Sequence, residues 1–154
     1  AGNGVPLHGE TISAAQFPDL VPVMAVAMTG ASGTSTITDA QRLRIKESDR
    51  LATVCDFLTI LGTDIRQTKD GLIIDKNNDR TVPSGPAAHC PAPSLCGGTV
   101  SSHNDHRIAM AAAVASCRAD GPVIITGAEA VKKSYPDFFT DFTKLGGKIE
   151  ILED

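Results

Sequence analysis

Apolar residues along this chain fall into two successive series with the same internal order. In the first, "DLVPVMAVAMTGAS", from Asp19, is apolar on nearly every side of a helical wheel and predicts a buried helix. "GTSTITD" alternates β-branched with smaller polar residues and predicts a strand. A charged junction follows, then a helix over "SDRLATVCDFLTILG" with its stripe at Leu51, Val54, Cys55, Leu58 and Leu61, closed by Gly62. "TDIRQT" and "GLIID" predict a hairpin turned through Lys69, Asp70 and Gly71.

The second series repeats this order. "DHRIAMAAAVASC" predicts another wholly apolar helix, "GPVIITGA" a strand, and "KKSYP" a basic junction. "YPDFFTDFTKLGG" predicts an amphipathic helix and "KIEIL" a closing strand. Two such units, at approximately 10–75 and 100–154, would bury both apolar helices by sharing a mixed sheet. Residues 76–99 carry Pro83, Pro86, Pro91 and Pro93 and read as a surface loop or insertion. The fold class expected is α/β, or α+β in some schemes.

Bulk properties narrow the partners. With 42% apolar and 21% charged residues the composition is that of an ordinary globular protein, and a net charge of −4 argues against a nucleic-acid-binding surface. "LVPVMAVAM" and "IAMAAAVASC" fall well short of the ~20 residues that span a bilayer, so no membrane association is expected. The opening "AGNGVPLHGE" lacks an initiator Met and the charged n-region of a secretory leader, and reads as part of a longer protein. Cys55 and Cys117 sit in apolar helical patterns and read as buried small hydrophobes. Cys90 and Cys96, beside His89 and ahead of His103, match no usual zinc spacing, so no metal is expected and a reducing cytoplasm is the simpler setting.

Both series place bases where a helix dipole opposes them, at a cost of about a few tenths of a kcal/mol each. Lys46 and Arg50 bracket one helix start; His106 and Arg107 follow Asp105, a good N-cap residue; Lys132 and Lys133 precede Ser134, with Pro136 suited to a first helical position. Each basic side chain alone could simply bend back to solvent. Three at equivalent places suggest more. Helix N-termini offer free amide donors, and Arg adds a two-pronged grip on carboxylate or phosphate. Brought together, they would form a receptor for a small multiply charged anion such as a phosphorylated carboxylic acid. Asp49 and Asp105 read as helix caps; Asp19 and Glu47 read the same way unless they face the anion, where proton transfer becomes open to them.

"RIKESDRL", "NDHRIAMAAAV" and "VKKSYPDFF", in this order with "FPDLVPVMAVAM" upstream, closely resemble the 3-phosphoshikimate 1-carboxyvinyltransferase (EPSP synthase) family. The resemblance implies an enolpyruvyl transferase-like fold of repeated βαβαββ units with mixed sheets and buried helices. It implies transfer of the enolpyruvyl group of phosphoenolpyruvate to the 5-hydroxyl of shikimate 3-phosphate, with no metal or organic cofactor. The same resemblance assigns Arg50, Arg107 and Lys133 to phosphoenolpyruvate, and Asp19 and Lys46 to shikimate 3-phosphate. Asp19 and Glu47 become the catalytic pair, with His106 a neighbouring substrate-binding candidate. Glyphosate is the inhibitor expected of the complete enzyme.

Two departures qualify that picture. Arg42 stands where the family often has Asn, four residues before the motif lysine. The family's N-terminal domain has no counterpart here, so the chain is expected to be a partial C-terminal domain, inactive alone. A non-catalytic anion-binding module of the same fold is one alternative. The related UDP-N-acetylglucosamine enolpyruvyl transferase is another, opposed by "KESDR".

Overall fold

The computed structural model describes residues 6–76 and 95–152, with Lys76 in its backbone only. A strand β1 (Thr11–Ser13) leads through a 3-10 turn (Pro18–Leu20) into helix α1 (Val21–Met28) and strand β2 (Gly33–Thr38). A second 3-10 turn (Gln41–Ile45) precedes helix α2 (Arg50–Ile60), then β3 (Asp64–Gln67) and β4 (Leu72–Lys76). After the undescribed stretch come β5 (Gly98–Ser101), α3 (His106–Ser116), β6 (Val123–Thr126), a 3-10 turn (Ala128–Lys133) and α4 (Phe138–Lys144).

The first four strands form a mixed sheet in the order β1-β2-β4-β3, β1 parallel to β2 and the rest antiparallel. Its register places Ile37 opposite Leu72 and Ile65 opposite Ile74, so alternate residues turn one apolar face to the core. The hairpin turn closes where expected, with Thr68 N–H donating to the Gly71 carbonyl. Gly71 must be glycine, because a Cβ there would land on the carbonyl oxygen of Ile37. β5 and β6 form a separate parallel pair.

Helices α1, α2 and α3 pack on one another between these sheets. Of the expected α2 stripe, Leu51, Val54, Leu58 and Leu61 are fully buried, joined by Phe57, whereas Cys55, expected to be buried, is only partly so because it lies at the edge of that face. On α3, Ile108 and the alanines at 111, 112 and 115 meet it; such small side chains let neighbouring helix axes approach closely. Gly62 adopts a left-handed φ of +83° and ends α2 as its sequence suggested.

Several sequence expectations are corrected. Among the described residues the two series do not share one sheet, since β1–β4 pair in one and β5 and β6 in another. "KIEIL" pairs with nothing among the described residues, and Ile151 and Leu152 are exposed. The first apolar helix is shorter than its pattern and only one face is buried; Val23 and Ala27 are exposed. Cys117 is exposed because it lies past the end of α3, beyond its buried stripe. Lys132 and Lys133 close a 3-10 turn rather than open a helix, and Pro136 precedes α4, whose N-cap is Asp137.

α4 itself buries no residue. Its aromatic rings pack on each other instead, Phe138 lying 5.8 Å from Tyr135 and 5.1 Å from Phe139 between ring centroids. Among the described residues no helix is long and apolar enough to cross a membrane, and no group of three or more His, Cys, Asp or Glu is gathered as metal ligands would be. Residues 77–94, His89 and Cys90 among them, lie outside the described residues, but the end of the expected surface loop does not. Leu95 and Cys96 are buried and Gly98 and Thr99 open β5, because the chain there already packs against the core.

Candidate functional site

The singled-out residues all lie in connections leaving the carboxyl ends of the parallel strands, the usual place for ligands in such sheets. Asp19 follows β1, in the 3-10 turn before α1. Lys46, Glu47 and Ser48 follow β2 and its 3-10 turn, and Arg50 is the first residue of α2. Asp105, His106 and Arg107 follow β5 and start α3. Lys133 follows β6. The parallel pairings β1·β2 and β5·β6, with α1 against α3, bring these segments to one face.

Arg50 is the centre of what they build. Although a cation in the first turn of α2, it is only 1% exposed and is surrounded by carboxylates. Its Nε donates to Asp105 Oδ2 at 2.7 Å and its Nη2 to Asp105 Oδ1 at 3.2 Å. Nη2 also donates to Glu47 Oε2 at 2.6 Å, and Nη1 to Asp19 Oδ1 at 2.8 Å. Asp19 is shared: its Oδ2 accepts from Arg107 Nη2 at 3.2 Å, and Lys46 Nζ stands 3.7 Å from Oδ1. Thus Asp19, Lys46, Glu47, Arg50 and Arg107 form one continuous network.

Lys133 and His106 stand beside that network rather than in it. Lys133 Nζ donates to the carbonyl of Asn104, the residue before Asp105, at 2.6 Å. His106 is 8% exposed, and its Nδ1 has no hydrogen-bond partner among the described residues, a buried polar atom next to the cluster. Arg42 lies apart, exposed on the rim of a hollow of about 330 Å³ beside Pro18 and Asp39.

Burial works against both charges of the central pair, and the pairing overcomes it. Desolvation alone would raise the Asp105 carboxyl, but the Arg50 hydrogen bond, the Arg107 amide, the Arg50 charge and the Ser48 hydroxyl hold it below the usual carboxylate range. Desolvation would likewise lower Arg50, yet Asp105, then Glu47 and Asp19, carry it above its ordinary value. The pair is therefore ionised, as a buried charge pair with satisfied hydrogen bonds can be.

Asp49 and Asp105 both cap as expected, accepting from the amides of Ala52 at 3.1 Å and Arg107 at 2.9 Å. Sequence reasoning stopped there and missed the larger part of Asp105. It also missed Ser48, whose hydroxyl donates to Asp105 Oδ2 at 3.0 Å. The available signal was a second acid at the start of α3 facing an Arg with too many bases around it. Arg44 escaped notice too; it holds Asp49 at 2.9 Å and braces the junction against the β3–β4 turn through Thr68 O.

Chemically, the cluster sets the cations Arg50, Arg107 and Lys46 against carboxylates of unequal exposure: the side chains of Asp19 and Glu47 are each 43% exposed, whereas that of Asp105 is fully buried.

A profile of the family described as EPSP synthase (3-phosphoshikimate 1-carboxyvinyltransferase) matches residues 2–142. The 3-phosphoshikimate 1-carboxyvinyltransferase of Clostridium novyi (strain NT) is 48% identical over 143 residues, 93% of this chain and 29% of that protein. That of Methanocella arvoryzae is 43% identical over 148 residues, 96% of this chain and 31% of its own length. This chain therefore spans under a third of the relatives it matches. Among solved structures, EPSP synthase from Acinetobacter baumannii superposes with a TM-score of 0.79 at 35% identity, over 96% of this chain and 32% of that one. The enolpyruvyl transferase NikO from Streptomyces tendae shares the fold, with a TM-score of 0.69 at 24% identity. Sequence, fold and the order of the motifs agree: the chain belongs to the EPSP synthase (3-phosphoshikimate 1-carboxyvinyltransferase) family.

Proposed function

We propose that this chain forms the phosphoenolpyruvate side of an active site that transfers an enolpyruvyl group to the 5-hydroxyl of shikimate 3-phosphate, releasing phosphate. The reaction adds the hydroxyl oxygen to C2 of phosphoenolpyruvate while a proton goes to its methylene carbon. Loss of phosphate and of a methyl proton then restores the double bond.

Within this reading, Arg50 and Arg107 grip the carboxylate and phosphate of phosphoenolpyruvate, with Lys133 closing on the same anion. Asp19 takes the proton of the 5-hydroxyl, and Lys46 holds the acceptor beside it. Glu47 delivers and later removes the proton at the methylene carbon. His106, whose Nδ1 has no partner among the described residues, offers one further polar contact to the bound anion. The remaining grip on the acceptor belongs to the N-terminal domain found in the family. The chain alone is thus one binding wall without turnover, and the setting proposed is the cytoplasm.

One observation carries the reading: Asp19, Arg50 and Arg107, from three separate connections, meet within hydrogen-bond distance. An amide NMR titration of the chain with phosphoenolpyruvate tests it. Shifts gathered at residues 46–50, 105–108 and 132–135 are expected. Shifts scattered over the surface, or none, would reject it, as would normal phosphate release by this chain with both substrates.

A further inference from the structure

Arg50 has two edges by which an anion can take it. The side-on edge is Nε with Nη2; the end-on edge is Nη1 with Nη2. Asp105 holds the side-on edge with both carboxylate oxygens, at 2.7 and 3.2 Å. Asp19 and Glu47 lie against the end-on edge, through Nη1 and Nη2 respectively. The two sets of acids differ sharply in freedom. The side chain of Asp105 is 0% exposed, whereas those of Asp19 and Glu47 are each 43% exposed.

The carboxylate of Asp105 is also tied on its other sides. It accepts the Arg107 amide at the start of α3 and the Ser48 hydroxyl in the junction that carries Lys46 and Glu47. Backbone bonds lock the residue too, since its amide donates to Ser102 and its carbonyl accepts from Ala109. One carboxylate thus joins the start of α2, the junction before it and the start of α3. An arriving anion can displace the two exposed acids, but it cannot reach the edge that Asp105 covers.

We propose that Asp105 is a positioning residue. It clamps the side-on edge of Arg50 so that the end-on edge faces the anion, and it sets Arg107 at a fixed distance from that edge. Asp105 touches no substrate and moves no proton. It acts through Arg50, and the proposal rests on the reading of Arg50 as a phosphoenolpyruvate ligand.

The test separates this role from helix capping, which Asn performs as well as Asp. Phosphoenolpyruvate affinity is measured by calorimetry on the wild-type chain and on Asp105→Asn, with far-UV circular dichroism to confirm the fold. NMR of the Arg50 Nε–H follows the guanidinium itself. The expected result is an unchanged helix signal, affinity lower by at least about tenfold, as when a buried charge loses its partner, and an Arg50 Nε–H resonance broadened by exchange. Unchanged affinity with a sharp Nε–H would overturn the proposal.

If Asp105→Asn does not fold, Ser48→Ala decides. It removes one bond from the clamp, and should weaken binding by a few fold and quicken Nε–H exchange; no change in either rejects the role. A wild-type chain that binds no phosphoenolpyruvate fails the functional reading instead. The two failures are distinct, because the Nε–H comparison still reports whether Asp105 holds the guanidinium.

Discussion

Arg50 and Asp105, 55 residues apart, form a buried two-bonded ion pair that fastens the start of α2 to the start of α3. Each helix opens on a charge that would be unfavourable or merely local by itself. Together they turn two helix starts into one rigid corner, and the remaining cations are arranged around it.

Glu47→Gln separates an enzyme from an anion-binding module. In this chain it removes an acid that competes for Arg50 Nη2, so phosphoenolpyruvate affinity should rise by up to about fivefold, the scale of a partly exposed pair. Once the chain is joined to its family's N-terminal domain, turnover should fall by about 10²–10⁴-fold, the range for a lost acid–base group. A pure binder would show the first effect without having a rate to lose. Calorimetry and a phosphate-release assay read the two separately.

Acid should weaken the fold in a defined direction. Asp105 is held below its ordinary range by Arg50 and the hydrogen bonds around it, against the opposing effect of burial. Asp75 is lowered by Thr34 and Arg66. A depressed carboxylate contributes stability that is complete above its unfolded pKa of about 3.9 and is lost as pH falls through the lower folded value. Urea midpoints should therefore change little between about pH 7 and 5 and drop clearly by about pH 3. An unchanged midpoint at the lowest pH would contradict the ionised buried pair.

Phe57 is 1% exposed within the α2 stripe, whereas Val114 on α3 is 36% exposed. Phe57→Ala should cost about 3–5 kcal/mol through lost burial and the cavity it leaves. Val114→Ala should cost less than about 1 kcal/mol, because much of that side chain already meets water. Urea denaturation of both variants checks the ordering.

Gly71→Ala tests the hairpin. The new methyl would meet the Ile37 carbonyl, which lies in rigid sheet backbone rather than at the end of a pliable side chain. A loss of at least about 1–3 kcal/mol is expected, as for other forced overpacking. A melting temperature equal to the parent's would show that the β2–β4 spacing is looser than described.

Much of this was legible in the chain because it depends on local pattern. The α2 stripe, its Gly62 stop, the β3–β4 turn and both Asp caps follow from spacing and from side chains that bond their own backbone. β1 and β5 were not legible: β1 has only three residues, and β5 begins at Gly98, inside the stretch that its prolines and glycines marked as a loop. Lys132 and Lys133 misled because Pro136 suggested an immediate helix, while the chain spends that stretch in a 3-10 turn. "KIEIL" has strand composition, but a strand requires a neighbour as well as a pattern. At the site, types and positions were readable; the side-on clamp of Asp105 was not, since it depends on how two helices approach in space.

The aromatic packing within α4 has a consequence for local stability. A helix of seven residues that hides no side chain against the body has little to hold it, since isolated helices this short are marginal in water. Deuterium should therefore enter the amides of Phe138–Lys144 well before those of α2 or α3, as a unit that opens without the core. This segment would breathe on its own clock, just beyond Lys133, which is anchored to Asn104.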